Sequence, residues 1–146
     1  MTWMFYAFFS AIFAGLTALL AKIGMDNVPS NLATFIRTLV IGTFAFGIVF
    51  TQGQLNLIST LSSRAWIFLV LSGLATGISW LFYFAALKAG PLSGVAPIDK
   101  LSFVIAVILG VIFLGERVNM ITAFGCALIV VGVLVTLPSV QAWFLD

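Results

Sequence analysis

The sequence predicts an all-α polytopic membrane protein with five transmembrane helices, and three observations lead there. Charged residues make up 7% of the 146 residues and hydrophobic ones 63%, whereas a soluble domain carries roughly 25% charged residues. Mean hydropathy is +1.29, so the chain cannot cover its own surface with polar groups and lipid must solvate most of it. Several apolar runs reach the ~20 residues that cross a ~30 Å hydrocarbon layer, and turn-forming residues separate them.

The first span runs from about Trp3 to Ile23 and ends at Gly24, before the turn-rich stretch MDNVPSN. The same run could be read as a cleavable leader. It lacks a basic leading segment, and no hydrophilic domain follows it, so retention as a span is the better reading. The second span extends from Leu32 to Thr51. In the connector QGQLNLISTLSSR, Leu55, Ile58 and Leu61 recur at helical spacing, which suits a segment lying in the interface. The third span covers Ala65 to Leu87, and Lys88-Ala-Gly-Pro closes it with a Gly–Pro stop. The fifth runs from Met120 to Leu137, where Pro138 breaks it; Trp143 in the tail suits an interfacial anchor.

The fourth span poses the central question, because Asp99 and Lys100 stand beside a long apolar run that ends at Gly115-Glu116-Arg117. Counted from Leu101 to Leu114, the run measures roughly 21 Å and is too short to cross. Counted from Ser93 it measures roughly 33 Å, which fits. Asp99 then lies about 9 Å inside the span, with Pro97 giving a kink or a short broken helix. Lysine can snorkel to the near headgroups, but aspartate is too short, and an aspartate at depth usually marks a pathway or a buried pair. Asp99, Ser102, Ala106 and Gly110 share one narrow face, and Lys100 shares its side with Val104, Val107 and Val111. Asp99 is expected to look into the protein and Lys100 to reach along its edge.

Other spans offer matching faces. Ser72, Thr76, Ser79 and Tyr83 form a hydroxyl line in the third span, beside Trp80 and the pair Gly73 and Gly77; Ser10, Ala14, Thr17 and Ala21 do the same in the first. Close helix packing explains the Ala and Gly positions. The hydroxyl line suits packing and the wall of a polar cavity about equally. Arg37, some five residues into the second span, either snorkels or turns inward to hold Asp99 or a substrate carboxylate. Glu116 and Arg117 read as a solvated helix end, and Asp26 and Arg64 as loop charges.

Several functions are excluded. The single cysteine, Cys126, leaves no intrachain disulfide within these residues, and the absence of histidine removes the ordinary zinc sites. No cofactor, metal or catalytic residue is expected. The net charge of +2 gives no ground for a nucleic-acid partner. Alternate loops carry Lys22 and Lys88 on one side and Arg64 and Arg117 on the other, so the positive-inside signal is balanced. An odd number of spans with balanced charge permits insertion both ways round, which would generate inverted repeats from two copies.

Particular segments resemble a known family. They are Ala21-Lys22-Ile23-Gly24, Ala33-Thr34-Phe35-Ile36-Arg37-Thr38, Ser79-Trp80-Leu81-Phe82-Tyr83-Phe84, Ala86-Leu87-Lys88-Ala89-Gly90-Pro91, Val95-Ala96-Pro97-Ile98-Asp99-Lys100-Leu101-Ser102 and Leu114-Gly115-Glu116-Arg117. Together they are similar to the EamA-type branch of the drug/metabolite transporter superfamily, in its short five-span form. The resemblance covers nearly the whole chain. It implies one EamA-like five-helix unit over residues 3–137, a short polar and aromatic tail over 138–146, and a small-molecule transporter assembled from two such units.

The expected function is therefore a secondary transporter of the cell inner membrane. It would move a small polar or amphiphilic metabolite, by export, through alternating access in an antiparallel homodimer within the lipid bilayer. The expected pathway residues are Asp99, Lys100, Arg37, Ser79, Trp80, Tyr83 and Ser102. Asp99 and Arg37 would fix charge, Trp80 and Tyr83 would stack on or gate the solute, and Asp99 could carry a proton. The alternative is a non-transporting membrane scaffold or accessory subunit whose charges lock helices together. A lipid-modifying enzyme fits less well, because no pair of acids shares a helix face.

Overall fold

The computed structural model describes residues 2–145, and side chains through Ala142. Every regular element among them is helical, as an apolar solvent requires. A spanning segment that cannot hydrogen-bond to water must satisfy its backbone internally, and a helix does so within one segment. The residues fall into two compact units, Met1–Ala89 and Gly90–Asp146.

The first unit holds three long helices. α1 (Thr2–Gly24), α2 (Ser30–Thr51) and α3 (Ser63–Ala89) have 23, 22 and 27 residues, or about 34, 33 and 40 Å at 1.5 Å per residue. All three are long and apolar enough to cross a membrane. Asn27 takes a left-handed φ of 60° in the turn between α1 and α2, a conformation that asparagine tolerates. Gly53, at φ 67°, begins the connector, which is a single 3₁₀ helix over Gln54–Thr60. Its Leu57 and Ile58 are exposed, in keeping with a segment resting on an apolar interface.

α2 and α3 form the most extensive helix pair of the molecule, and α1 packs on α3 as well. Ala18, Ala21 and Met25 are buried at the end of α1, Thr34 on α2, and Phe84 and Leu87 on α3. Small side chains on α1 let its backbone approach a helix that carries the bulk. The inner stripe of α3 is Gly77, Trp80, Phe84 and Leu87, spaced at i, i+3, i+7 and i+10, with burial rising toward the C-terminal end.

The second unit contains a broken span and a shorter one. α4 (Leu92–Asp99) and α5 (Leu101–Leu114) are separated only at Lys100, and together they make a candidate span of 23 residues. Pro97 lies inside α4; its missing N–H and its ring interrupt the ladder one turn ahead of the break. Lys100 N–H bonds to the Pro97 carbonyl at 3.0 Å and Phe103 N–H to the Lys100 carbonyl at 3.1 Å, the tighter three-residue spacing of a 3₁₀ turn. The break anticipated from Pro97 is therefore present, three residues further on.

α5 ends at Gly115, whose φ of 66° is left-handed and costs glycine nothing. α6 (Met120–Thr136) starts on an Asn119 cap, whose side chain accepts from the Thr122 N–H at 2.7 Å. With 17 residues it is about 26 Å long, at the short limit for a crossing. The short polar and aromatic tail contains another helix, α7 (Pro138–Leu145), beginning at the proline that stops α6. The side chain of Trp143 lies outside the described residues.

Large apolar side chains point outward throughout, among them Phe44, Phe82 and Phe113 at 71, 74 and 78% exposure. In water this would be an aggregation surface. In a bilayer it is the solvated one, and the fold is that of an all-α integral membrane protein.

Candidate functional site

In the first unit the polar groups lie at two levels. At the end where α1 and α3 finish, Lys22 donates to the Leu87 carbonyl at 2.5 Å and Lys88 to the Val28 carbonyl at 2.7 Å. With Met25, Asp26, Asn27 and Leu87 they line an open cavity of about 580 Å³. Each ammonium complements the negative end of a helix dipole, so both lysines tie helix ends together.

Deeper in this unit stands Arg37, about 10 Å along α2 from Ser30. Its guanidinium carbon lies 4.8 Å from the ring centre of Phe84 and 6.0 Å from that of Trp80. Arg37 and Trp80 are half-buried and Phe84 is 1% exposed. The Nε of Arg37 is buried without a hydrogen-bond partner. The side chain therefore lies across the helix pair on an aromatic shelf.

Tyr83 stands edge-on to Phe84, with ring centres 5.6 Å apart, and is half-buried. Ser72, Thr76 and Ser79 are exposed, one helical step round from the aromatic stripe. Thr76 returns its hydroxyl to the Ser72 carbonyl at 2.9 Å, the usual way a helix satisfies a hydroxyl away from water. Beside this line, a Cβ added to Gly73 or Gly77 would meet nothing within 4 Å. Among the described residues that glycine pair makes no close helix-packing contact.

In the second unit, Asp99 and Lys100 occupy the end of α4 and the break. Lys100 Nζ stands 3.4 Å from Asp99 Oδ2, with side-chain exposures of 59% and 36%. The contact is long for a charged hydrogen bond, as expected of neighbours that project about 100° apart round a helix axis. Lys100 also edges an apolar groove of about 490 Å³, with Pro97, Phe103, Ile129, Val133 and Thr136. Ser102 and Ala106 are exposed and Gly110 is buried, covered by Glu116. The Glu116 carboxylate folds back to lie 3.0 Å from where a Gly110 Cβ would stand.

The expected residues thus form two clusters, Arg37 with Trp80 and Asp99 with Lys100. Phe84, the centre of the first cluster, was not singled out in the sequence. Its signal was present: it lies four residues after Trp80, on the same helical face. Among the described residues no group of His, Cys, Asp and Glu could hold a metal ion, and Cys126 is a free, buried thiol.

Long apolar helices, one of them broken, with charge carried inside the spans, define a polytopic integral membrane protein. The chain belongs to the EamA-like transporter family, whose profile matches residues 1–137. It is also 50% identical, over 133 residues, to a Sinorhizobium sp. protein named as an uncharacterized transporter in the cobO 3′ region. The match covers 91% of this chain and 94% of that protein. No solved structure matches. Family and relative make this chain a membrane transporter and point away from an enzyme.

Proposed function

We propose that the protein is a secondary transporter of the cell inner membrane that exports a small polar or amphiphilic metabolite by alternating access. Two copies of the five-helix unit over residues 3–137 form the working assembly as an antiparallel homodimer. The observation that carries this reading is the break at Lys100 inside the span Leu92–Leu114, with Asp99 beside it. Discontinuous helices at membrane depth free backbone groups and present charge to a solute. A helix that served only to pack would gain nothing from either.

Asp99, Lys100 and Arg37 supply charge in this reading, and Trp80 and Tyr83 contact or gate the solute. Ser79 and Ser102, exposed on a single chain, face the pathway once a second copy is in place. The relative's name as a transporter supports the class. The alternating-access step is the rocking of one unit against another round a fixed site. No catalytic step or cofactor is involved.

The test is aqueous access. In a Cys126→Ala background, cysteines at Ser79, Tyr83 and Ser102 should react with a small water-soluble thiol reagent, and solute should slow the reaction. A scaffold would leave all three unreactive, and that result would end the transport reading. Asp99→Asn should express normally and lose transport. Undiminished transport would remove Asp99 from the mechanism. Compartment-sensitive reporters fused to the C-terminus should give signal on both sides of the membrane. Signal on one side alone overturns the antiparallel arrangement.

A further inference from the structure

The first unit holds an inward cation for which it provides no countercharge. Its one carboxylate is Asp26, which lines the cavity at the helix ends with Lys22 and Lys88. Among the described residues of this unit, Arg37 makes no ion pair. In the other unit, Asp99 already has its neighbour Lys100 as a cation. A guanidinium is charged at any working pH, and an ionisable group at membrane depth is retained for a partner or a pathway.

The geometry limits what that partner can be. Phe84 and Trp80 hold the cation through their rings, and Nε is sealed in without a partner. The donors left to an incoming group are therefore those of the two terminal nitrogens, a planar fork that matches the two oxygens of a carboxylate. A phosphate monoester carries close to two charges and would bring one of them to this depth uncompensated. Trp80 is only half-buried, leaving part of its indole to touch an apolar body attached to the carboxylate.

We infer that Arg37, held on Phe84 and Trp80, is the binding site for the carboxylate of a small amphiphilic monocarboxylate, and that this is the solute class the protein handles. The inference rests on the transport reading above and gives it a substrate class. Arg37 binds the anion end-on, Phe84 fixes the guanidinium beneath it, and Trp80 contacts the remainder of the solute.

The experiment uses the full chain in detergent. Thermal unfolding is followed with acetate, butyrate, benzoate and phenylacetate, each against its neutral amide and against inorganic phosphate at equal ionic strength. At least one carboxylate should raise Tm by several degrees once present at about ten times its Kd, while its amide and phosphate do not. Arg37→Gln should abolish the rise. Arg37→Lys keeps the charge without the fork and should weaken binding about tenfold. Trp80→Phe, which leaves Arg37 in place, should weaken the aromatic acids more than acetate.

Equal protection by an amide, stronger protection by phosphate, no protection by any of the four acids, or unchanged binding in Arg37→Gln would each overturn the assignment. Vesicle flux separates the two proposals. Carboxylate protection without flux defeats the transport reading alone. Flux of a neutral or cationic solute that is indifferent to Arg37→Gln defeats the carboxylate site alone.

Discussion

The two units handle charge in opposite ways. In the first, three unbroken helices carry Arg37 on a buried aromatic ring, with Arg64 over the exposed Phe68 in the first turn of α3 and the two lysines at the helix ends fastened to backbone carbonyls. In the second, the span itself is interrupted, and opposite charges stand side by side at the interruption. A cation over an aromatic face keeps its helix intact, because the ring quadrupole replaces part of the lost hydration. An aspartate has no such partner; it lies where Pro97 has loosened the ladder and a lysine follows directly. Long aromatic-lined helices therefore suit a fixed charge, and a broken helix suits one that must stay accessible.

Substitutions can sharpen or break this contrast. The largest effect is expected at the shelf. Phe84→Ala removes a side chain that is 1% exposed and should cost about 3–5 kcal/mol, read as a fall in the unfolding midpoint in detergent. Phe103→Ala in the second unit, where the ring is 55% exposed, should cost far less. Equal losses would show that the first unit's aromatic packing is nothing special.

Next comes the break. Pro97→Ala restores the missing N–H and should hold or raise Tm, since an interior proline costs about 3 kcal/mol. Transport should nonetheless fall at least about tenfold, because the discontinuity is lost. Full transport by a continuous helix would remove the functional difference between the units.

Smaller effects follow at the helix ends. Gly115→Ala forces a side chain into φ 66° and should destabilise by about 1–2 kcal/mol. Gly73→Ala, with open space at its Cβ, should be neutral or stabilise by up to about 1 kcal/mol. Lys22→Met loses the bond to the Leu87 carbonyl, worth about 1 kcal/mol. Smallest should be Gly110→Ala, a few tenths of a kcal/mol, because the displaced group is the mobile end of Glu116. All are read by the same unfolding measurement.

Much of this molecule was legible in its residues. The helix limits agree to within about two residues, because in lipid the length of an apolar run and its bounding Gly, Pro and Asn fix a helix locally. The broken fourth span followed from length and Pro97, and the family from local segments between Ala21 and Arg117. Less legible was the way the helix faces meet. The hydroxyl line of α3 drew attention by its polarity, yet the buried residues of that helix are Phe84 and Leu87, with Trp80 half-buried beside them, and polarity cannot rank faces when lipid is as apolar as a core. Glu116 is exposed, as a solvated helix end should be, but that its carboxylate also covers Gly110 was not legible.

What the sequence determined by itself was the local chemistry: how many helices, where they stop, and which charges lie inside them. Hydrogen bonding and hydropathy act over a few turns of chain, so neighbouring residues suffice to set them. Only the tertiary structure decided that Arg37 rests on Phe84, that Gly73 and Gly77 meet nothing, and that Lys22 and Lys88 clasp carbonyls of other segments. Those outcomes join residues up to 65 positions apart, and they depend on distances between helices that no single helix encodes.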